Sequence, residues 1–94
     1  MVLNMYVRSI SVRTLNRLIH DLRSRGLWAE RHSYSIRIMY NNLIVASLHI
    51  YPGFSEAVLR LYGDAEANKY VENTVKDILA NTLRGFKITV VKVR

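Results

Sequence analysis

Two stretches of the chain carry apolar residues at the spacing of an α-helix. In the first they are Leu15, Leu18, Ile19 and Leu22, and in the second they are Ala67, Val71, Val75, Ile78 and Leu79. Ser11 precedes the first stretch and Asp64 precedes the second, and both residue types are favoured helix N-caps. Gly26 and Gly85 stand where these helices should end. The pattern therefore predicts one helix from Ser11 to Gly26 and another between Asp64 and Gly85.

The rest of the chain carries the signals of β-strands. Alternating or β-branched residues mark the segments Val2–Arg8, Ser33–Tyr40, Leu43–Tyr51, Phe54–Tyr62 and Phe86–Val93. Asn41-Asn42 and Pro52-Gly53 separate the three central segments, and both pairs are typical of tight turns. The predicted order is β-α-β-β-β-α-β. It indicates an α+β fold in one domain, residues 1–94, with two helices packed on one face of an antiparallel β-sheet.

Two-residue turns would also decide which side chains share a face of this sheet. On the helix-packing face we expect Met39, Ile44, Ala46, Leu48, Ile50, Ala57, Leu59 and Leu61. Within it we expect one core made of Ile44, Leu48, Leu59, Leu61, Leu18, Leu22, Val75 and Ile78. Arg37 shares the parity of this face, so it should lie at the edge and reach outward.

The other face should hold most of the aromatic residues. It carries Tyr34, Ile36, Ile38, Tyr40, Val45, His49, Tyr51, Phe54, Val58, Arg60 and Tyr62. Such a face either stacks unpaired bases or is buried against another subunit, and for its tyrosines the sequence favours neither over the other. Because the face is so apolar, we expect a homodimer or higher oligomer that covers Ile36, Ile38 and Val58.

Charge is distributed unevenly along the chain. Every lysine or arginine in the first sixty positions is an arginine, a side chain whose planar fork matches phosphate oxygens in pairs. Before Leu43, seven arginines and two acids give +5, whereas from Leu43 onward seven basic residues and five acids give +2. The total of +7 points to an anionic polymer as the partner.

Arginines and aromatic residues supply the candidate contacts to such a polymer. Arg13 and Arg17 lie one helical turn apart, as a phosphate-facing row requires. Arg23 and Arg25 come just before Gly26, and Trp28 and Arg31 follow it, a combination that suits single-strand contact. The alternatives are a solvated helix face for the first pair and a plug over the core for the tryptophan. The predicted binding set is Arg13, Arg17, Arg23, Arg25, Trp28, Arg31, Tyr34, Arg37, Tyr40 and Tyr51.

Catalytic and metal-binding patterns are missing from the sequence. It contains no cysteine, its three histidines lack the spacing of metal ligands, and its serines have no nucleophile-elbow context. We therefore expect no enzyme activity, no metal and no cofactor. No apolar run approaches the roughly 18 residues needed to span a bilayer, and no signal peptide is visible, so a cytoplasmic protein without a membrane partner is expected.

The chain is short, basic and free of cysteine. Its layout is an arginine-rich helix from Ser11 to Gly26, an aromatic sheet from Tyr34 to Tyr62 and a closing helix. This layout resembles that of the ThermoDBP-related single-stranded DNA-binding proteins of thermophilic archaea. The resemblance implies single-strand binding by an oligomer, without catalysis. The predicted function is single-stranded nucleic-acid binding with little sequence specificity, DNA being favoured slightly over RNA. The alternative is an assembly subunit that uses its aromatic face to oligomerise or its arginines to bind an acidic protein.

Overall fold

A computed structural model describes residues 9–93 and shows two helices and a five-stranded sheet. The elements are α1 (Val12–Ser24), β1 (Trp28–His32), β2 (Ser35–Tyr40), β3 (Leu43–Tyr51), β4 (Glu56–Leu61), α2 (Ala65–Thr82) and β5 (Lys87–Lys92). The strands lie in the order β1-β2-β3-β4-β5. Neighbours from β1 to β4 are antiparallel, and β5 runs parallel to β4. The predicted α+β class, with two helices on a mostly antiparallel sheet, is confirmed.

Two strands differ from the expected set. The predicted strand Val2–Arg8 lies outside the described residues. Conversely, Trp28–His32 forms the edge strand β1, which the sequence did not predict. This segment has only one buried residue, Ala29, between charged and polar neighbours, so it lacks the apolar alternation of a strand.

Both helices begin at the predicted caps. The backbone N–H of Thr14 donates to Ser11 Oγ at 3.1 Å, and that of Ala67 donates to Asp64 Oδ1 at 2.8 Å. These bonds satisfy N–H groups that have no partner inside the helix. Each helix then buries its apolar side against the same face of the sheet, which forms a two-layer molecule.

The core lies between the helices and the sheet. Of the eight residues expected to form it, seven are buried, namely Leu18, Leu22, Leu48, Leu59, Leu61, Val75 and Ile78. The eighth, Ile44, is 52% exposed. The expectation for this residue was therefore wrong, and the cause lies in how β2 pairs with β3.

A β-bulge in the β2–β3 hairpin exchanges the faces of β2. The turn at Asn41-Asn42 pairs the flanking residues as predicted, but Ile38 pairs with Ala46 whereas Met39 pairs with Ile44. Val45 therefore has no partner on β2, and beyond it the register changes by one residue. A change of one residue moves every side chain of β2 to the opposite face.

The bulge corrects the expectations for three residues, Ile36, Ile38 and Arg37. Ile36 and Ile38 lie in the core beneath the helices, so a second subunit cannot cover them. Arg37 lies on the outer face of the sheet rather than on the helix-packing face, and its side chain is exposed. The sequence could not predict the bulge. The turn at Asn41-Asn42 pairs the same two flanking residues whether or not β3 contains an extra residue at Val45.

The second hairpin has a longer turn than expected. Tyr51 pairs with Glu56, and the chain between them forms a 3-10 turn, Pro52–Phe54, followed by Ser55 at φ 51°. Because the register differs from the expected one by two residues, the faces of β4 are unchanged. Phe54 leaves the sheet and is 77% exposed, whereas Ala57 and Leu59 are buried as predicted.

Candidate functional site

The side of the sheet opposite the helices has no described element packed on it, and we call it the open face. Alternation and strand pairing place the following side chains there: Trp28, Glu30, His32, Ser35, Arg37, Met39, Ile44, Ser47, His49, Tyr51, Glu56, Val58, Arg60, Tyr62, Lys87, Thr89 and Val91. None of these residues is fully buried. The open face therefore presents aromatic, hydroxyl, imidazole and guanidinium groups to solvent on a rigid sheet.

Two arginines occupy the middle of the open face. Ser47 pairs with Arg37 on one side and with Arg60 on the other, so the arginines are two strand spacings apart, or about 10 Å. Among the described residues, neither arginine has an acidic group within ion-pair distance. Both guanidinium groups therefore remain available to an anionic ligand.

A concave pocket of about 630 Å³ lies beside Arg37. Two side-chain hydrogen bonds organise its floor: Ser35 Oγ with His49 Nδ1 at 2.9 Å, and Ser47 Oγ with the Tyr62 hydroxyl at 3.0 Å. The volume lies within the range of about 300–1,000 Å³ that is usual for small-molecule sites. The floor thus offers fixed donors and acceptors next to a positive charge.

Trp28 forms one rim of the open face. Its ring is 50% exposed, and the guanidinium carbon of Arg23 lies 3.9 Å from the ring centroid. The indole Nε1 donates to Glu30 Oε2 at 3.3 Å. The cation–π contact and the hydrogen bond hold this half-exposed ring in a defined orientation.

Of the ten predicted binding residues, the structure places three on the open face, two of them toward opposite ends of the strands. They are Trp28, Arg37 and Tyr51, the last of which is 41% exposed near the end of β3. Arg31 belongs to the edge strand and also lines the pocket, where its Nη1 donates to the Ser33 carbonyl at 2.9 Å.

Arg13 and Arg17 lie elsewhere. They project from the exposed side of α1, which faces away from the sheet, so the whole thickness of the molecule separates them from the open face. Arg17 lies 4.0 Å from Asp21 in an exposed pair, an interaction of small energy.

Arg23 and Arg25 are engaged within the protein. Arg23 Nε and Nη2 donate to the Ala29 carbonyl at 3.0 and 2.8 Å, which ties the end of α1 to β1. Arg25 Nη1 donates to Asp77 Oδ2 at 3.1 Å, and this hydrogen bond raises the pKa of Arg25. These arginines join secondary-structure elements to one another.

Two of the predicted tyrosines also have internal partners. The Tyr34 hydroxyl accepts from the Ile10 N–H at 3.4 Å, and the ring packs against the core. Tyr40 lies on the helix-packing side because of the bulge, and its ring stacks on Tyr70 of α2 with centroids 5.6 Å apart. Neither ring belongs to the open face.

Several residues of the site were missing from the predicted binding set. They are His32, Ser35, Ser47, His49, Arg60 and Tyr62. The alternation of β4 had placed Arg60 and Tyr62 on the same face as Tyr51, and this parity was the signal that could have found them. The contribution of β1 had no such signal, because the strand itself was not predicted.

No described helix is long and apolar enough to cross a membrane. Within residues 9–93, histidines and acids form no cluster of three that could hold a metal ion.

No family model, curated protein or solved structure matches this chain. The resemblance to ThermoDBP-related proteins therefore stays a prediction.

Proposed function

We propose that this protein binds single-stranded nucleic acid in the cytoplasm through its open face, without catalysis. The observation that carries the proposal is the pair Arg37 and Arg60, which have no described ion-pair partner and flank Ser47 in the middle of the open face. Arginine pairs with phosphate oxygens through its planar fork of donors.

Unpaired bases suit the remainder of this surface. Tyr51, Tyr62 and Trp28 offer ring surfaces for stacking, which contributes about 1–3 kcal/mol per base and tolerates any base. In a duplex the faces of the bases are stacked on one another, so these rings could not stack on them. The proposal therefore covers single strands with little sequence preference, and the resemblance noted above favours DNA.

A second candidate is an assembly subunit whose open face contacts another protein. The apolar residues Ile44 and Val91, exposed by 52% and 39%, favour it because exposed apolar side chains are common in interfaces. This candidate predicts association with protein and no response to an oligonucleotide.

Fluorescence anisotropy of a labelled single-stranded oligonucleotide tests the proposal. Arg37→Ala/Arg60→Ala should weaken binding and flatten the log–log dependence of affinity on salt by about 1.4, since each phosphate contact to a single strand contributes roughly 0.7. Arg13→Ala/Arg17→Ala is the matched control, because it removes the same charge from the far side of the molecule. It should change affinity and slope much less.

Two results would overturn the proposal. One is the absence of binding by the wild-type protein at low salt, which would favour the assembly candidate. The other is an equal loss in the two double variants, which would mean that overall charge, not the open face, accounts for binding.

A further inference from the structure

We propose that the free edge of β5 pairs with β5 of a second copy of this chain, so that two five-stranded sheets join into one. Among the described strands, β5 is the outermost on its side of the sheet. The argument rests on the direction of its backbone groups, on the partial burial of its side chains and on a comparison with the opposite edge.

Backbone hydrogen bonds show which groups of β5 point outward. The N–H of Lys87 donates to the Ser55 carbonyl at 2.9 Å, and the N–H of Val93 donates to the Leu61 carbonyl, also at 2.9 Å. Odd-numbered residues of β5 therefore face β4. Because successive residues of a strand point their backbone groups to opposite sides, those of Ile88, Val90 and Lys92 point outward. No described residue is hydrogen-bonded to them.

An antiparallel pairing centred on Val90 uses all of these groups. Val90 of one copy would lie opposite Val90 of the other, and Ile88 opposite Lys92. In such a pairing each outward N–H and each outward carbonyl meets its counterpart, because the paired residues exchange both hydrogen bonds. Some other antiparallel registers also keep the helices of both copies on the same side of the joined sheet. They leave some outward N–H or carbonyl groups of Ile88, Val90 and Lys92 without a partner.

The side chains of β5 support the same contact. Ile88 and Val90 belong to the helix-packing face but are only partly buried, because α2 packs over β3 and β4. In the proposed pairing, the two copies of Val90 would cover each other beside the core. The two open faces would form one continuous surface, since the two-fold axis runs perpendicular to the sheet.

The charged residues of β5, Lys87 and Lys92, lie only at its two ends, whereas the opposite edge of the sheet is protected in its middle. At β1, the guanidinium of Arg23 already donates twice to the Ala29 carbonyl, and Glu30 and Arg31 place charges on a short strand. In β5, the four residues from Ile88 to Val91 include no charge and no proline. Charges, prolines and covering groups are what usually prevent edge pairing.

Cysteine cross-linking tests the register directly, because the chain has no cysteine of its own. The pairing places Thr89 opposite Val91 of the other copy in a non-hydrogen-bonded pair, with Cα atoms about 4.5 Å apart, which a disulfide accepts. Both positions are exposed on the open face. After mixing and oxidation, Thr89→Cys and Val91→Cys should give a covalent heterodimer far more readily than either variant alone. Equal or absent cross-linking would overturn the proposed pairing.

Light scattering tests the contact without a cross-link. The wild type should be a dimer at tens of micromolar, within the range of weak interfaces. Val90→Pro removes an outward N–H that has no partner among residues 9–93, so it should leave the protein folded and monomeric, whereas Val90→Ala keeps the N–H and should still dimerise. A monomeric wild type, or a dimer that persists in Val90→Pro, would overturn the proposal. Neither outcome depends on nucleic-acid binding.

Discussion

At the residue scale, arginines of one short segment have different tasks. Arg23 contacts a strand edge and a tryptophan ring, Arg25 pairs with an acid on α2, and Arg37 lies on the open face with no ion-pair partner among the described residues. The sequence showed that this segment is rich in arginine and that a phosphate-binding role was plausible. It could not distinguish the three roles, because the partner of Arg23 lies across a turn, that of Arg25 lies on a distant helix, and the face of Arg37 is set by the bulge.

The tyrosines differ in the same way, and this difference gives a prediction. Tyr51→Ala should weaken single-strand binding by about 1–3 kcal/mol with little change in the salt dependence, because stacking releases no counterions. Tyr40→Leu should leave binding unchanged and lower the free energy of unfolding by about 0.5–1.5 kcal/mol, the value of an aromatic pair beyond its buried area.

Oligonucleotide titrations and urea unfolding of both tyrosine variants measure these effects. Loss of binding in Tyr40→Leu, at a temperature where that variant is folded, would contradict the assignment of Tyr40 to the helix-packing side.

At the element scale, the signals of both helices and of the first hairpin turn were read correctly, whereas the turn at Pro52-Gly53 is longer than predicted. Helical spacing and the caps Ser11 and Asp64 gave both helices, and the pair Asn41-Asn42 gave the first hairpin turn. The bulge at Val45 has no local signature, since valine suits a regular strand equally well. Strand β1 forms because it pairs with β2, and this tertiary contact overrides a weak strand pattern.

The bulge buries Ile38 and exposes Ile44, so alanine substitutions at these two positions should differ in their effect on the free energy of unfolding. Ile38→Ala should lower the free energy of unfolding by about 2–5 kcal/mol, because it leaves a cavity in the core. Ile44→Ala should change it by roughly 0.5 kcal/mol or less, as is usual at an exposed position.

Chemical unfolding of the two isoleucine variants gives the comparison. The reverse order, with Ile44→Ala the more damaging, would mean that β2 and β3 pair without the bulge and that Arg37 lies on the helix-packing side.

At the scale of the whole molecule, the two-layer arrangement explains why one face is left for function. Both helices cover the same side of the sheet, and residues 9–93 supply no third layer. The formal charge of +7 attracts a polyanion from any direction. The open face is where two arginines without a described ion-pair partner, exposed rings and a pocket occur together, and the proposed pairing of β5 would double its extent.

The most direct test of this account is an NMR titration of isotope-labelled protein with a short single-stranded oligonucleotide. The backbone amide signals of Arg37, Ser47 and Arg60 should shift in a saturable way, while those of Arg13 and Arg17 on α1 stay in place. Shifts confined to α1, with the open face unchanged, would contradict the account and assign binding to the helix layer.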